Sequence, residues 1–89
     1  MPMYDDEVGR DLKANELKVR TVVVIRREDR PESAMTLWVR EIGQDHVVFW
    51  SGTLKITLWT YLREDGELMD ETGKKIMVSE FLGDTAYGA

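Results

Sequence analysis

From Leu17 onward the chain alternates apolar and polar residues with a period of two, the spacing of half-buried β-strands. The alternation predicts strands at 17–27, 35–42, 46–50, 53–63, 67–70 and 75–81. Between them lie a polar loop at 28–34 with Pro31, and turn signals at Gly43-Gln44-Asp45, Ser51-Gly52, Asp65-Gly66 and Thr72-Gly73. In the first strand Val22-Val23-Val24-Ile25 is apolar on both sides, so both of its faces should be covered. Residues 1–16 follow another rule. Tyr4, Val8 and Leu12 fall at i, i+4 and i+8, one face of a helix, although Gly9 interrupts it. A short N-terminal helix or ordered arm is expected there, a single β domain over 17–82, and a loose tail over 83–89.

The turns set a register that can be checked. A two-residue loop at Ser51-Gly52 places Phe49 opposite Leu54 and Val47 opposite Ile56. Directly opposed residues share a face, so Val47, Phe49, Leu54, Ile56, Leu58 and Leu62 form an apolar face. The same rule at Asp65-Gly66 puts Leu62 against Met69. At Thr72-Gly73 it puts Met69 against Ile76, Asp70 against Lys75 and Glu71 against Lys74. A three-residue loop at Gly43-Gln44-Asp45 pairs Val39 with Phe49 in the core, keeps Met35 and Leu37 there, and pairs Trp38 with Trp50 on the other side. The turns agree on one set of faces, and a one-residue slip would reverse them. The expected fold is all-β: a small antiparallel meander of about six strands, bent into a small barrel or a two-layer sheet.

The face opposite this core reads Trp38, Arg40, Val48, Trp50, Lys55, Thr57, Trp59 and Tyr61. A first strand of the same parity adds Lys18, Arg20, Val22, Val24 and Arg26. All three tryptophans of the chain lie there among basic residues, where a wet sheet face usually carries plain polar ones. Three readings compete. In the structural one, bending turns part of this face into core, and lysine and arginine stems lie over the rings. In the second, the face is an interface for a protein partner or a second copy, since tryptophan, tyrosine and arginine are enriched at binding hot spots. In the third, aromatic platforms between bases hold single-stranded nucleic acid, in the manner of OB-like modules.

Charge separates the last two. The 89 residues carry a net charge of −5. Residues 1–16 hold five acids and two bases, 17–63 eight bases and five acids, and 64–89 seven acids and two bases. The mildly basic middle suits nucleic acid, but the overall acidity opposes it, because neutralising phosphates supplies most of that affinity. There is no cysteine, which removes disulfides, thiolate nucleophiles and cysteine metal sites and suits a cytoplasmic protein. No apolar run is long enough for a membrane helix, and the first residues do not read as a signal peptide.

Residues for catalysis are few. His46, the only histidine, lies beside a turn. Ser33, Ser51 and Ser79 sit in no nucleophile elbow. Asp65, Glu67, Asp70 and Glu71 surround two turns, but a calcium loop starting at Asp65 would need glycine at its sixth position, which is Asp70, and glutamate at its twelfth, which is Ile76. The expected protein is therefore not an enzyme and carries no cofactor or metal. It binds a protein partner, or itself, through Trp38, Arg40, Trp50, Lys55, Trp59 and Tyr61. The alternative is single-stranded nucleic acid on the same face.

Overall fold

The computed structural model describes residues 8–83. Its seven strands are β1 (Val8–Leu12), β2 (Val22–Arg27), β3 (Arg30–Ile42), β4 (His46–Ser51), β5 (Ile56–Leu62), β6 (Leu68–Met69) and β7 (Lys75–Phe81). They pair antiparallel in the order β2-β3-β4-β5-β6-β7, and β7 returns to β2, which closes a six-stranded barrel. β1 is an extra strand on β7, beyond the point where β6 stops. The antiparallel meander is thus a barrel, the arrangement that leaves fewest strand edges in water.

The barrel interior holds one cluster: Leu17, Val23, Ile25, Leu37, Val39, Val47, Phe49, Leu68, Ile76 and Val78, with Leu12, Ala14, Met35 and Leu58 packed against it. These positions alternate along each strand as the period of two requires. Val22, Val23, Val24 and Ile25 are all buried, as the doubly apolar run predicts. Thr60 also faces inward, opposite Val47, and its hydroxyl donates to the Val47 carbonyl at 2.8 Å, which satisfies a fully buried polar atom.

Three turns are longer than the expected two-residue loops, and one is shorter than the expected three-residue loop. The chain leaves β4 through a four-residue turn, residues 52–55, and Phe49 faces Leu58, not Leu54. The Leu54 N–H donates to Ser51 Oγ at 3.1 Å, which holds this turn, and Lys55 leaves it at φ 55°. The register moves by four residues, an even number, so every β5 side chain keeps its expected face. The next two turns are each one residue longer than expected. Gly66 and Gly73 take φ of 84° and 88°, the left-handed residue that ends a three-residue hairpin loop. Leu62 therefore faces Leu68, and Leu68 faces Ile76. Leu68, not Met69, enters the core, and Met69 lies opposite Tyr61 and Lys75. Asp70 faces the Lys74 end of its own turn, and its carboxylate accepts from the Thr72 and Lys74 backbone N–H groups. Two odd errors cancel, so Ile76 still points inward.

Trp38 pairs with Trp50 and Val39 with Phe49, as expected. The loop beyond them is only Gln44-Asp45, closed by the Gly43 N–H on the His46 carbonyl, and a bulge at Arg40 absorbs the extra residue. The stretch 28–34 is not a loop. Glu28-Asp29 turns the chain, and β3 begins at Arg30 with residues 31–34 bulging opposite Arg26. At the N-terminus, Val8–Leu12 is a strand, and the only helix among the described residues is one 3-10 turn, Ala14–Glu16. Tyr4 and the rest of 1–7, like the tail over 84–89, lie outside the described residues. No helix among the described residues is long and apolar enough to cross a membrane.

Candidate functional site: the outer aromatic face

The tryptophans project from the outside of the barrel wall. Cross-strand pairing lines up Val22, Trp38, Trp50 and Thr57 across β2 to β5, and places Trp59 opposite Val48 beside them. Trp38 is half-buried against Val22, while Trp50 and Trp59 keep 39% and 42% of their surface in water. Val22 and Val48 remain buried on this outer side, so the rings act partly as a second apolar layer. The rings cover valines beneath and keep indole surface in water above.

A groove of about 450 Å³ runs here, lined by Val19, Arg20, Trp38, Val39, Arg40 and Trp50. Arg20, expected on this face as a strand residue, reaches it from a turn before β2. The Arg20 N–H donates to the Val39 carbonyl at 2.7 Å while Val39 N–H donates to Thr21. This clamp holds Arg20 at φ 73°, a left-handed conformation that an ordinary side chain adopts only when the surroundings impose it. Trp50 closes the other end, with its ring over the β4–β5 turn: a Cβ added at Gly52 would stand 3.2 Å from its Cζ3.

Of the six residues expected to bind, Trp38, Arg40 and Trp50 thus share one groove. Trp59 and Tyr61 lie on the same outer side along β5 but outside it. Lys55 is not on the strand; it occupies the turn below Trp50. Among the described residues Arg20, Arg40 and Lys55 make no ion pair, and neither do Lys18, Arg26, Arg30 and Lys74; Arg10, Lys13, Arg27, Arg63 and Lys75 do.

His46 sits where this face meets the end of the barrel. Its ring stacks on Trp59 with centroids 5.4 Å apart and planes 28° from parallel. Nε2 lies 2.8 Å from Glu41 and Nδ1 3.3 Å from Asp45. Gly43 passes so close that a Cβ there would overlap the ring. The bonds to Glu41 and then Asp45 raise the His46 pKa above 6.5. A raised folded value means that the proton is held more tightly in the barrel than in the unfolded chain. The stabilisation is complete below 6.5 and is lost as pH rises through the folded value. Thermal midpoints should therefore fall as pH climbs from about 6 to 8, and Glu41→Gln should flatten that slope. A slope that Glu41→Gln leaves intact would assign it to other groups.

A second concavity, about 500 Å³, opens at the barrel mouth between Ala14, Ile42, Val47, Leu62 and Leu68. The strand pattern does not reveal it, because it forms where two turns and the 3-10 segment meet. Its nearby charges are already engaged: Lys13 with Glu67 at 3.1 Å and Arg63 with Asp65 at 3.4 Å. No cluster of three His, Cys, Asp or Glu side chains among the described residues is placed to hold a metal ion. Comparison with protein-family models, curated proteins and solved structures finds no match for this chain.

Proposed function

We propose that this barrel is a non-catalytic binding domain that holds an acidic, extended segment of a partner protein in the groove between Trp38, Trp50, Arg20 and Arg40. One observation carries the reading. Arg20 and Arg40 line the groove beside the Trp50 indole, which is 39% exposed, and neither makes an ion pair among the described residues. An acidic ligand supplies the missing charge, and its apolar side chains gain the indole surface. Tryptophan and arginine together are the usual composition of a binding hot spot. The barrel mouth lacks free charge of this kind, which is why the groove is preferred.

Single-stranded nucleic acid uses the same two handles, so an oligonucleotide is the natural comparison. The test is tryptophan fluorescence with a short peptide that alternates glutamate with leucine or phenylalanine, against an oligothymidylate and a lysine-rich peptide. The acidic peptide should shift the emission, with an affinity that falls as salt is added. Arg20→Ser with Arg40→Ser should weaken it about tenfold, as expected for loss of facing charges. A response to the oligonucleotide alone would transfer the groove to nucleic acid. No response to the acidic peptide at low salt would end the proposal.

A further inference from the structure

β5 is an open sheet edge over most of its length. β4 pairs with it from Ile56 to Tyr61, but β6 pairs only with Tyr61 and Leu62, because the chain turns back at Asp70. Among the described residues no strand pairs with 56–60 on that side. The Leu62 N–H donates to the Asp45 carbonyl beside β4, so even-numbered residues bond toward β4. The N–H and C=O groups of Thr57 and Trp59 point to the open side. The five residues read Ile-Thr-Leu-Trp-Thr, with no charge, proline or glycine. Within 56–60 there is no charge, proline or bulge to blunt the edge, and no described strand covers it.

We infer that this edge joins two copies of the chain, β5 to β5 and antiparallel, about a two-fold axis at Leu58. The edge is its own complement. In that register Thr57 faces the partner's Trp59, and Trp59 faces the partner's Thr57. These are the two residues with free backbone groups, so four hydrogen bonds form and none of those groups is left over. The ends match as well. Before Ile56, Lys55 leaves the strand at φ 55°; after Thr60, Tyr61 is already taken by Met69. The free segment is thus centred on Leu58, as a two-fold contact requires.

Charge selects the same occupant. Lys55 of each copy arrives where the partner's β6 ends, at the partner's Asp70 and the partner's Glu71. Neither Lys55 nor Glu71 makes an ion pair within the described residues of one chain. The symmetry forms this contact twice. Leu58 packs on the partner's Leu58 on the inner side, and Trp59 becomes a diagonal neighbour of the partner's Trp59 on the outer side. The inference rests on the β5 edge alone and does not need the groove to bind anything. It does place two Trp38–Trp50 grooves on one continuous outer surface.

The chain has no cysteine, so a single introduced thiol is an unambiguous probe. Leu58→Cys places two thiols at a non-hydrogen-bonded antiparallel pair, where Cα atoms lie about 4.5 Å apart, within disulfide reach. It should oxidise to a covalent dimer, while Leu54→Cys in the exposed turn should not. Thr57→Pro removes an outward N–H without touching the β4 ladder. It should raise the dimer dissociation constant at least about tenfold, with the thermal midpoint nearly unchanged. Light scattering should give the wild type twice the mass of one chain at high concentration. A wild type that stays single at its highest soluble concentration overturns the inference and leaves the edge to a strand of another protein. A dimer that ignores Thr57→Pro and fails to cross-link through Leu58→Cys overturns it too, by placing the contact elsewhere. If either variant fails to fold, the other decides.

Discussion

Phe49→Ala should remove about 3–5 kcal/mol of unfolding free energy, the cost of deleting a large buried aromatic side chain and leaving a void. Phe49 is 0% exposed, the largest fully buried side chain, and it lies mid-wall between Val39 on β3 and Leu58 on β5. A domain of this size has about 5–15 kcal/mol in total, so the variant stands near the folding threshold. Its neighbour Trp50 points to the other side of the same strand, and Trp50→Ala should cost about 1 kcal/mol or less. Urea denaturation of the two variants reads the facing directly. A midpoint for Trp50→Ala below that of Phe49→Ala would mean that the two faces are exchanged.

The facing was legible in the sequence because parity survives even errors. The β4–β5 register is off by four residues, yet Ile56, Leu58, Thr57 and Trp59 all keep their faces. The turns at Gly66 and Gly73 each hide one extra residue, and only Leu68 and Met69 between them change places. Turn length is the weak point: a glycine at positive φ serves two- and three-residue loops alike. β1 was hidden for a different reason. Its partner β7 lies at the far end of the chain, and Val8 and Leu12 fit a helical spacing as well as a strand. The stretch 30–34 is fully exposed, so no burial pattern betrays it as strand.

The candidate site divides in the same way. The outward direction of Trp38, Trp50 and Trp59 follows from alternation. The groove does not, because Arg20 reaches it only through a left-handed turn hydrogen-bonded to Val39. The His46–Trp59 stack was also out of reach. A two-residue Ser51-Gly52 loop sets His46 against Thr57, and only the true register brings it between Tyr61 and the flank of Trp59. Long-range pairing, not local preference, assembles both features.

The second large effect is on binding. Trp38→Ser with Trp59→Ser should weaken the acidic peptide about thirtyfold and leave the barrel folded. A hot-spot aromatic costs about 2 kcal/mol or more when truncated, roughly thirtyfold in affinity; Trp38 supplies that loss, and Trp59, outside the groove, adds little. The fold should survive because neither ring belongs to the inner cluster around Phe49. Some stability is lost, since Trp38 lies over Val22 and Trp59 over Val48; uncovering them should cost about 1–2 kcal/mol. Peptide titration and circular dichroism on the same sample separate the two effects. A folded variant that binds as the wild type does would remove the indoles from the site. An unfolded one would make them core on both sides of the wall, and Trp50→Ser, at a ring 39% exposed, then carries the binding test alone.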